Sequence, residues 1–408
     1  MTVTFEDIKA AAEVIRPVTI ETPTVRSPLL SEATGAEVVL KLENLQHTGS
    51  FKPRGAYNKL ASLTDDEKKR GVIAASAGNH AQGVAYHARN LGIPSTIVMP
   101  ELTPFTKVSR TAAHGASIVL HGADLADSTD KAMEIQAEKG MTFIHPFDDE
   151  KIIAGQGTVA IEMLAVEPDL DTLIIPIGGG GLMAGNCISA KSLKPDIRIF
   201  GVEADMYPSM YQVLNGLPPT SGGQSIAEGI AVKRPGELTR PVIATSVEEI
   251  LLVSEANLER GVQVMLEQGR VLAEGAGAAG LAAMLAYPER FTGHRVGVVV
   301  CGGNIDSRLV GSILMRGLVW AGRLVRVRVN IQDQPGVLAR VSQLVGDTGG
   351  NIIEVYHQRL FYDVPVKQAE LDLVIETRGT DHVNEIVGAL TAAGFPTRML
   401  SATNVGDA

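Results

Sequence analysis

Leu173-Ile174-Ile175-Pro176-Ile177-Gly178-Gly179-Gly180-Gly181-Leu182 is the stretch on which the fold turns. Its first half is a bare apolar strand, the texture of a strand buried on both faces of a parallel sheet. Four glycines then run straight into a helical pattern over 182–193. Glycines at such a turn let the backbone wrap an anion closely and point several N–H donors at it. A flexible hinge is the plain alternative, but hinges rarely sit between a core strand and a helix. The spacing matches neither the dinucleotide fingerprint nor a Walker loop with its Lys-Ser/Thr. A phosphate is the expected ligand, and a nucleotide is not required.

Outward from this unit the same alternation continues. A strand over 197–202, helices over 255–268 and 277–285, and a strand over 295–300 complete one sheet. Upstream, strands at 72–75, 96–99, 117–120 and 142–144 alternate with helical patterns at 81–91, 105–114 and 125–139. This is βαβαβαβ, a second parallel sheet covered by helices. The expected organisation is a catalytic domain over 1–322, with a small α/β subdomain inserted at about 71–146 and a cleft between the two sheets. Residues 6–16 and 41–63 are assigned to the larger part.

Beyond Arg323 the texture changes. Val325, Val327, Val329 and Ile331 alternate with Arg326, Arg328 and Asn330, a half-buried strand. The turn Asp333-Gln334-Pro335-Gly336 follows, with Pro335 placed for a helix's first turn. Then come a helix through Leu338, Val341 and Leu344, strands over 352–358 and 370–376, a helix over 382–390 and a strand over 396–400. That βαββαβ order predicts a ferredoxin-like module over 323–408.

Bulk properties exclude several classes. There are 46 acidic against 36 basic residues, a formal charge of -10, so no basic stripe offers itself to nucleic acid. Two cysteines, Cys187 and Cys301, give no disulfide framework. The first residues carry Glu6 and Asp7 and no apolar signal core, and no apolar run is long enough to span a bilayer. A reducing cytoplasm is the expected location.

Three further segments carry candidate chemistry. In Ser50-Phe51-Lys52-Pro53-Arg54-Gly55-Ala56 a lysine stands between a phenylalanine and a proline, an odd place for a residue that only needs water. Ser76-Ala77-Gly78-Asn79-His80 lies where a strand turns into a helix, so its backbone N–H groups suit a carboxylate; a Ser/Asn helix cap is the competing reading. Cys301-Gly302-Gly303-Asn304 follows a buried strand, at the carboxyl end where ligands of parallel sheets bind. Alone, Cys301 is an inert buried thiol.

Together these segments resemble the serine/threonine dehydratase family of fold-type II pyridoxal-phosphate (PLP) enzymes, threonine ammonia-lyases among them. The motifs are SFKPRGA at 50–56, SAGNHAQG at 76–83, AGQGT at 154–158, GGGGL at 178–182 and CGGN at 301–304. The resemblance implies the tryptophan synthase β-like fold with two parallel-sheet domains. It implies PLP carried on Lys52, its phosphate cradled by Gly178, Gly179, Gly180, Gly181 and Leu182, and its ring oxygen held by Asn79. Ser76, Gly78, Asn79 and His80 would take the substrate carboxylate, and Cys301 would face the ring nitrogen. A thiol there is a weak, neutral donor that holds no proton on the ring, which favours expelling a β-hydroxyl.

The implied reaction is dehydration and deamination of threonine to 2-oxobutanoate and ammonia, with serine to pyruvate second. Lys52 would take the Cα proton. Serine racemases carry a second serine where this chain has Ala77, which has no proton to give. Glu203 matches a cation-ligand position of that group, but Ser209 stands where a carboxylate is expected, so no metal is predicted. The C-terminal stretch resembles a single ACT-type regulatory module, implying a homo-oligomer and an amino-acid effector, isoleucine first or valine. Alternatives are a serine-preferring or hydroxyaspartate dehydratase or racemase, and an amino-acid sensor with a decayed catalytic domain.

Overall fold

Strand Thr172–Pro176 is buried at every residue and lies inside a six-stranded sheet. The order across the sheet is Thr24–Arg26, Glu37–Lys41, Arg295–Val299, Thr172–Pro176, Arg198–Ala204 and Glu249–Val253. The first pair is antiparallel and every other pair is parallel. The architecture is seen in a computed structural model, which describes residues 3–358, 365 and 367–400. Three of these strands are unanticipated: Thr24–Arg26, Glu37–Lys41 and Glu249–Val253. The first has three residues, and both the first and the last lie on sheet edges, where half-exposed side chains blur the apolar pattern.

The second parallel sheet runs Ser117–Leu120, Ser95–Met99, Val72–Ala75 and Thr142–Phe143, as the alternation predicted. Its core joins Val72, Ala74, Val84, Ile97 and Met99 to Ala56, Leu60 and Leu63. The segment 41–63 is therefore divided between the sheets. Lys41 ends a strand of the large sheet, while 56–63 pack on the small one, because Ala56 and Leu60 share a face of helix Lys52–Ala61 at i and i+4 and Leu63 follows just past its end.

Helix Glu150–Val166 begins at Asp149, whose side chain accepts the N–H groups of Lys151 and Ile152. Its internal glycines hide it from a propensity reading, and packing explains one of them. A Cβ on Gly155 would lie 2.6 Å from the Cα of Gly55, so two helices touch backbone to backbone. The SFKPRGA and AGQGT motifs are thus two sides of one crossing. Beside it the Arg54 guanidinium reaches Glu43 at 2.8 Å and Glu162 at 2.5–2.7 Å, and Lys41 reaches Glu162 at 2.6 Å. Arg54, Glu43 and Lys41 are fully buried, and the network anchors the start of helix Lys52–Ala61.

The chain divides into compact units Met1–Ile305 and Asp306–Ala408. Helix Ser307–Trp320 groups with the second unit, so the division precedes that helix instead of following it at 322. The second unit has the βαββαβ order, its antiparallel sheet running Asn351–Gln358, Gln368–Glu376, Leu324–Gln332 and Thr397–Met399. Val327, Val329 and Ile331 face its core, while Arg326 and Arg328 bond Asp372 on the other side. Pro335 lies ahead of helix Val337–Asp347 and not in its first turn; Gly336 caps the helix at φ +84°, a conformation that favours glycine. Residues 401–408, assigned to this module, lie outside the described residues. Among the described residues no helix is long and apolar enough to cross a membrane.

Candidate active site

Backbone pairing brings the lysine and cysteine segments together. Ser50 bridges Gly302 in antiparallel fashion, and the Phe51 N–H donates to the Cys301 carbonyl at 3.1 Å. Lys52 then opens its helix and donates from Nζ to the Pro146 carbonyl at 2.8 Å. Part of the side chain is exposed, but the amine itself is desolvated. Burial pulls its pKa from 10.5 down to about 8, against the opposing pull of Cys301 and Glu274. Lys52 can therefore hold a reactive neutral amine near neutral pH.

Cys301 is buried, and burial pushes its thiol well above the ordinary range, with the Glu274 charge adding to the effect. It stays a neutral thiol. The glycine run is a row of donors without acceptors: among the described residues the N–H groups of Gly178 through Met183 meet no protein acceptor. Gly180 caps helix Gly181–Leu193 at φ +96°, a conformation that favours glycine, and the helix's first N–H groups have no intrahelical partner. The loop is braced from behind, where the Gly179 carbonyl accepts from the Gly236 N–H at 3.0 Å and from the Thr239 hydroxyl at 2.8 Å. The Phe147 ring lies where a Cβ on Gly179 would stand.

Asn79 is the first residue of helix Asn79–Asn90, and Gly78 is its cap. The Gly78 N–H donates to the Ser76 hydroxyl at 3.2 Å, and nothing lies within 4 Å of a Cβ built on Gly78, so the approach to the helix end is open. His80 differs from the other three. Its ring is buried, Nε2 lies 2.8 Å from the Ile144 carbonyl, and burial drops its pKa to about 3, with Lys52 adding to the effect. The imidazole stays neutral, so only the backbone N–H of His80 is left to meet an anion.

Of the groups that hold this set in place, sequence reasoning quoted Asn304 within its motif without a role and missed Glu274. Asn79 donates through Nδ2 to Glu274 at 2.7 Å and accepts through Oδ1 from Asn304 Nδ2 at 2.8 Å. Glu274 precedes helix Gly275–Ala286, where the Gly-Ala run drew attention to packing and away from the acid before it. Glu203 accepts the N–H groups of Met210 and Tyr211 at 2.9 and 2.8 Å, capping helix Ser209–Leu214. Among the described residues no group of three or more side chains is arranged for a metal.

The arrangement fits PLP. It offers a neutral amine for the aldehyde, a row of unpaired N–H donors for the phosphate, a carboxamide with a spare N–H for the ring edge, and an uncharged thiol.

Residues 15–302 match the family model described as pyridoxal-phosphate dependent enzyme. The chain is 42% identical over 400 residues to the L-threonine ammonia-lyase of Thermotoga maritima, covering 98% of this chain and all of that one. Among solved structures, maize serine racemase is 32% identical with a TM-score of 0.72, covering 78% of this chain and 98% of that one. The processed form of threonine deaminase isoform 2 from Solanum lycopersicum is 33% identical with a TM-score of 0.72, covering 76% and 86%.

Proposed function

The chain belongs to the pyridoxal-phosphate dependent enzyme family, and from that premise we propose that it is a threonine ammonia-lyase, converting L-threonine to 2-oxobutanoate and ammonia. L-Serine to pyruvate is the secondary reaction. The observation that carries this reading is the pairing of a depressed-pKa amine, Lys52, with a neutral thiol, Cys301.

PLP supplies the electron sink for the substrate's Cα. The residues of this chain do the rest. Lys52 carries the cofactor and then takes the Cα proton, which a pKa of about 8 suits near neutral pH. The glycine run and the first turn of helix Gly181–Leu193 hold the phosphate, and Asn79 holds the ring edge. Ser76, Gly78 and the first N–H groups of helix Asn79–Asn90 take the substrate carboxylate. Cys301 offers the ring nitrogen no proton, which favours loss of the β-hydroxyl. Ala77 packs against the small-sheet core and carries no acid to reprotonate Cα, which argues against racemisation.

The second unit is read as an ACT-type module that pairs copies of the chain and binds an amino-acid effector, isoleucine first. The likeness to the Thermotoga maritima protein runs through it. Threonine deamination begins isoleucine synthesis, which gives that effector its logic.

The test is a panel of L-amino acids with 2-oxo acid release monitored, run on the wild type and on Lys52→Ala. Threonine should be the best substrate, and Lys52→Ala should be inactive with an unchanged circular dichroism spectrum. Full 2-oxobutanoate release by Lys52→Ala would overturn the assignment.

A further inference from the structure

Glu274 has no part in the function proposed above, yet it joins the Asn79 helix end to the Gly302–Asn304 loop. Its carboxyl accepts from Asn79 Nδ2 at 2.7 Å and from the Asn304 backbone N–H, and its own N–H donates to the Gly302 carbonyl at 3.0 Å. We propose that Glu274 is the positioning residue of Asn79, fixing which side of that carboxamide donates and which accepts. The inference rests on the placing of Asn79 at the cofactor's ring edge.

The geometry leaves the amide one orientation. Asn79 Oδ1 accepts from Asn304 Nδ2, which also donates to the Thr48 carbonyl at 2.6 Å. One Asn79 N–H goes to Glu274, and the second is aimed by that bond. A flipped amide would set its NH2 against the Asn304 NH2 and its oxygen against a carboxyl, losing both bonds. Thr48, a β-branched residue, is held at φ +61°, and strain of this kind persists where the surroundings over-determine the backbone.

Lys52 and Cys301 feel the Glu274 charge directly, and Glu228 and Lys107 act on it from further off. Burial, helped by Glu228, pushes the carboxyl up to about 7 against the Asn79 hydrogen bond and Lys107. Above that pH the grip on Asn79 is charge-assisted. Below it the carboxyl is protonated and the grip loosens.

The experiment uses full-length holoprotein and follows the visible absorbance of bound PLP across neutral pH. Affinity is measured by titrating apoprotein with PLP. The wild type should show a transition with a midpoint of about 7. Glu274→Gln should abolish it and weaken PLP binding about tenfold, the loss of one charge-assisted bond. Asn79→Ala should abolish it too, because the carboxyl reaches the cofactor only through that amide. The double variant should bind PLP no more weakly than Asn79→Ala alone, since Glu274 acts through Asn79.

A wild-type transition retained in Glu274→Gln, or additive losses in the double variant, would overturn the proposal. A transition retained in Asn79→Ala would do the same, and that arm stands even where Glu274→Gln does not fold. A wild type that takes up no PLP overturns the function above as well, whereas a holoprotein indifferent to Glu274 overturns this inference alone.

Discussion

Lys52 should capture PLP with a pH dependence set by its burial. A solvated lysine amine has a pKa of 10.5, and desolvation at the Pro146 carbonyl brings Lys52 down to about 8. At pH 7 the reactive neutral fraction is then about one in ten, against about one in three thousand for an unperturbed amine, a gain of roughly 300-fold. The perturbation is pH itself, applied to apoprotein mixed with PLP in a stopped-flow cell, and the observed quantity is the rate of absorbance change. Below about pH 8 the rate should fall tenfold per pH unit, because protonation removes the nucleophile; above it the rate should level off. A rate that keeps climbing tenfold per unit through pH 10 would refute the argument, since Lys52 would then titrate as if in water.

The other predictions concern the residues around it. Cys301→Ser should retain elimination, whereas Cys301→Asp should place a proton on the ring nitrogen and suppress 2-oxobutanoate release; an Asp variant as fast as the wild type sinks the electronic account of Cys301. Arg54→Met should cost about 3–5 kcal/mol in thermal or urea unfolding, because Glu43 is left fully buried without its partner. Burial pushes the Glu43 carboxyl up and Arg54 outweighs it, holding it below the usual range, so in the wild type Glu43 adds stability above its unfolded pKa that is lost as pH falls through the folded value. In Arg54→Met the carboxyl becomes a raised one, and the stability deficit should shrink on acidification; a deficit independent of pH would mean that the charge is not what destabilises. Isoleucine should change the rate or the threonine cooperativity of the full chain, and a chain ending at Ile305 should lose that response; full-length enzyme unmoved by isoleucine, valine or threonine leaves the second unit as an interface only.

The parts of the site legible in sequence are those whose chemistry is local. A glycine run after an apolar strand carries its own turn geometry, and Gly180 at φ +96° is the residue that needs it. Ser76 to His80 announce a helix end because capping residues and the helix they cap are adjacent in the chain. Glu274 and Asn304 could not be read this way, because they reach Asn79 across separations of 195 and 225 residues. Helix Glu150–Val166 was hidden for a related reason: its glycines weaken the helical signal and are explained by contact with Gly55, about a hundred residues earlier. The βαββαβ order of the C-terminal module was legible, led by strand Leu324–Gln332, where Val327, Val329 and Ile331 are buried between more exposed neighbours. Its boundary was not, because helix Ser307–Trp320 carries no mark of which unit it joins.

One cause accounts for the electrostatics of the whole site. Desolvation is the leading influence on Lys52, Glu274, Cys301 and His80 alike, and it drives each toward its uncharged form. The cation pKa values fall to about 8 and about 3, and the carboxyl rises to about 7. Such a pocket presents little fixed side-chain charge to its ligand, and the donors it does present are backbone N–H groups and amides. A cofactor carrying its own phosphate charge can be held there by the helix end without drawing a counter-ion to the reacting carbon. The charge balance at Cα is then left to Lys52 and to Glu274, the two groups whose pKa values straddle neutrality.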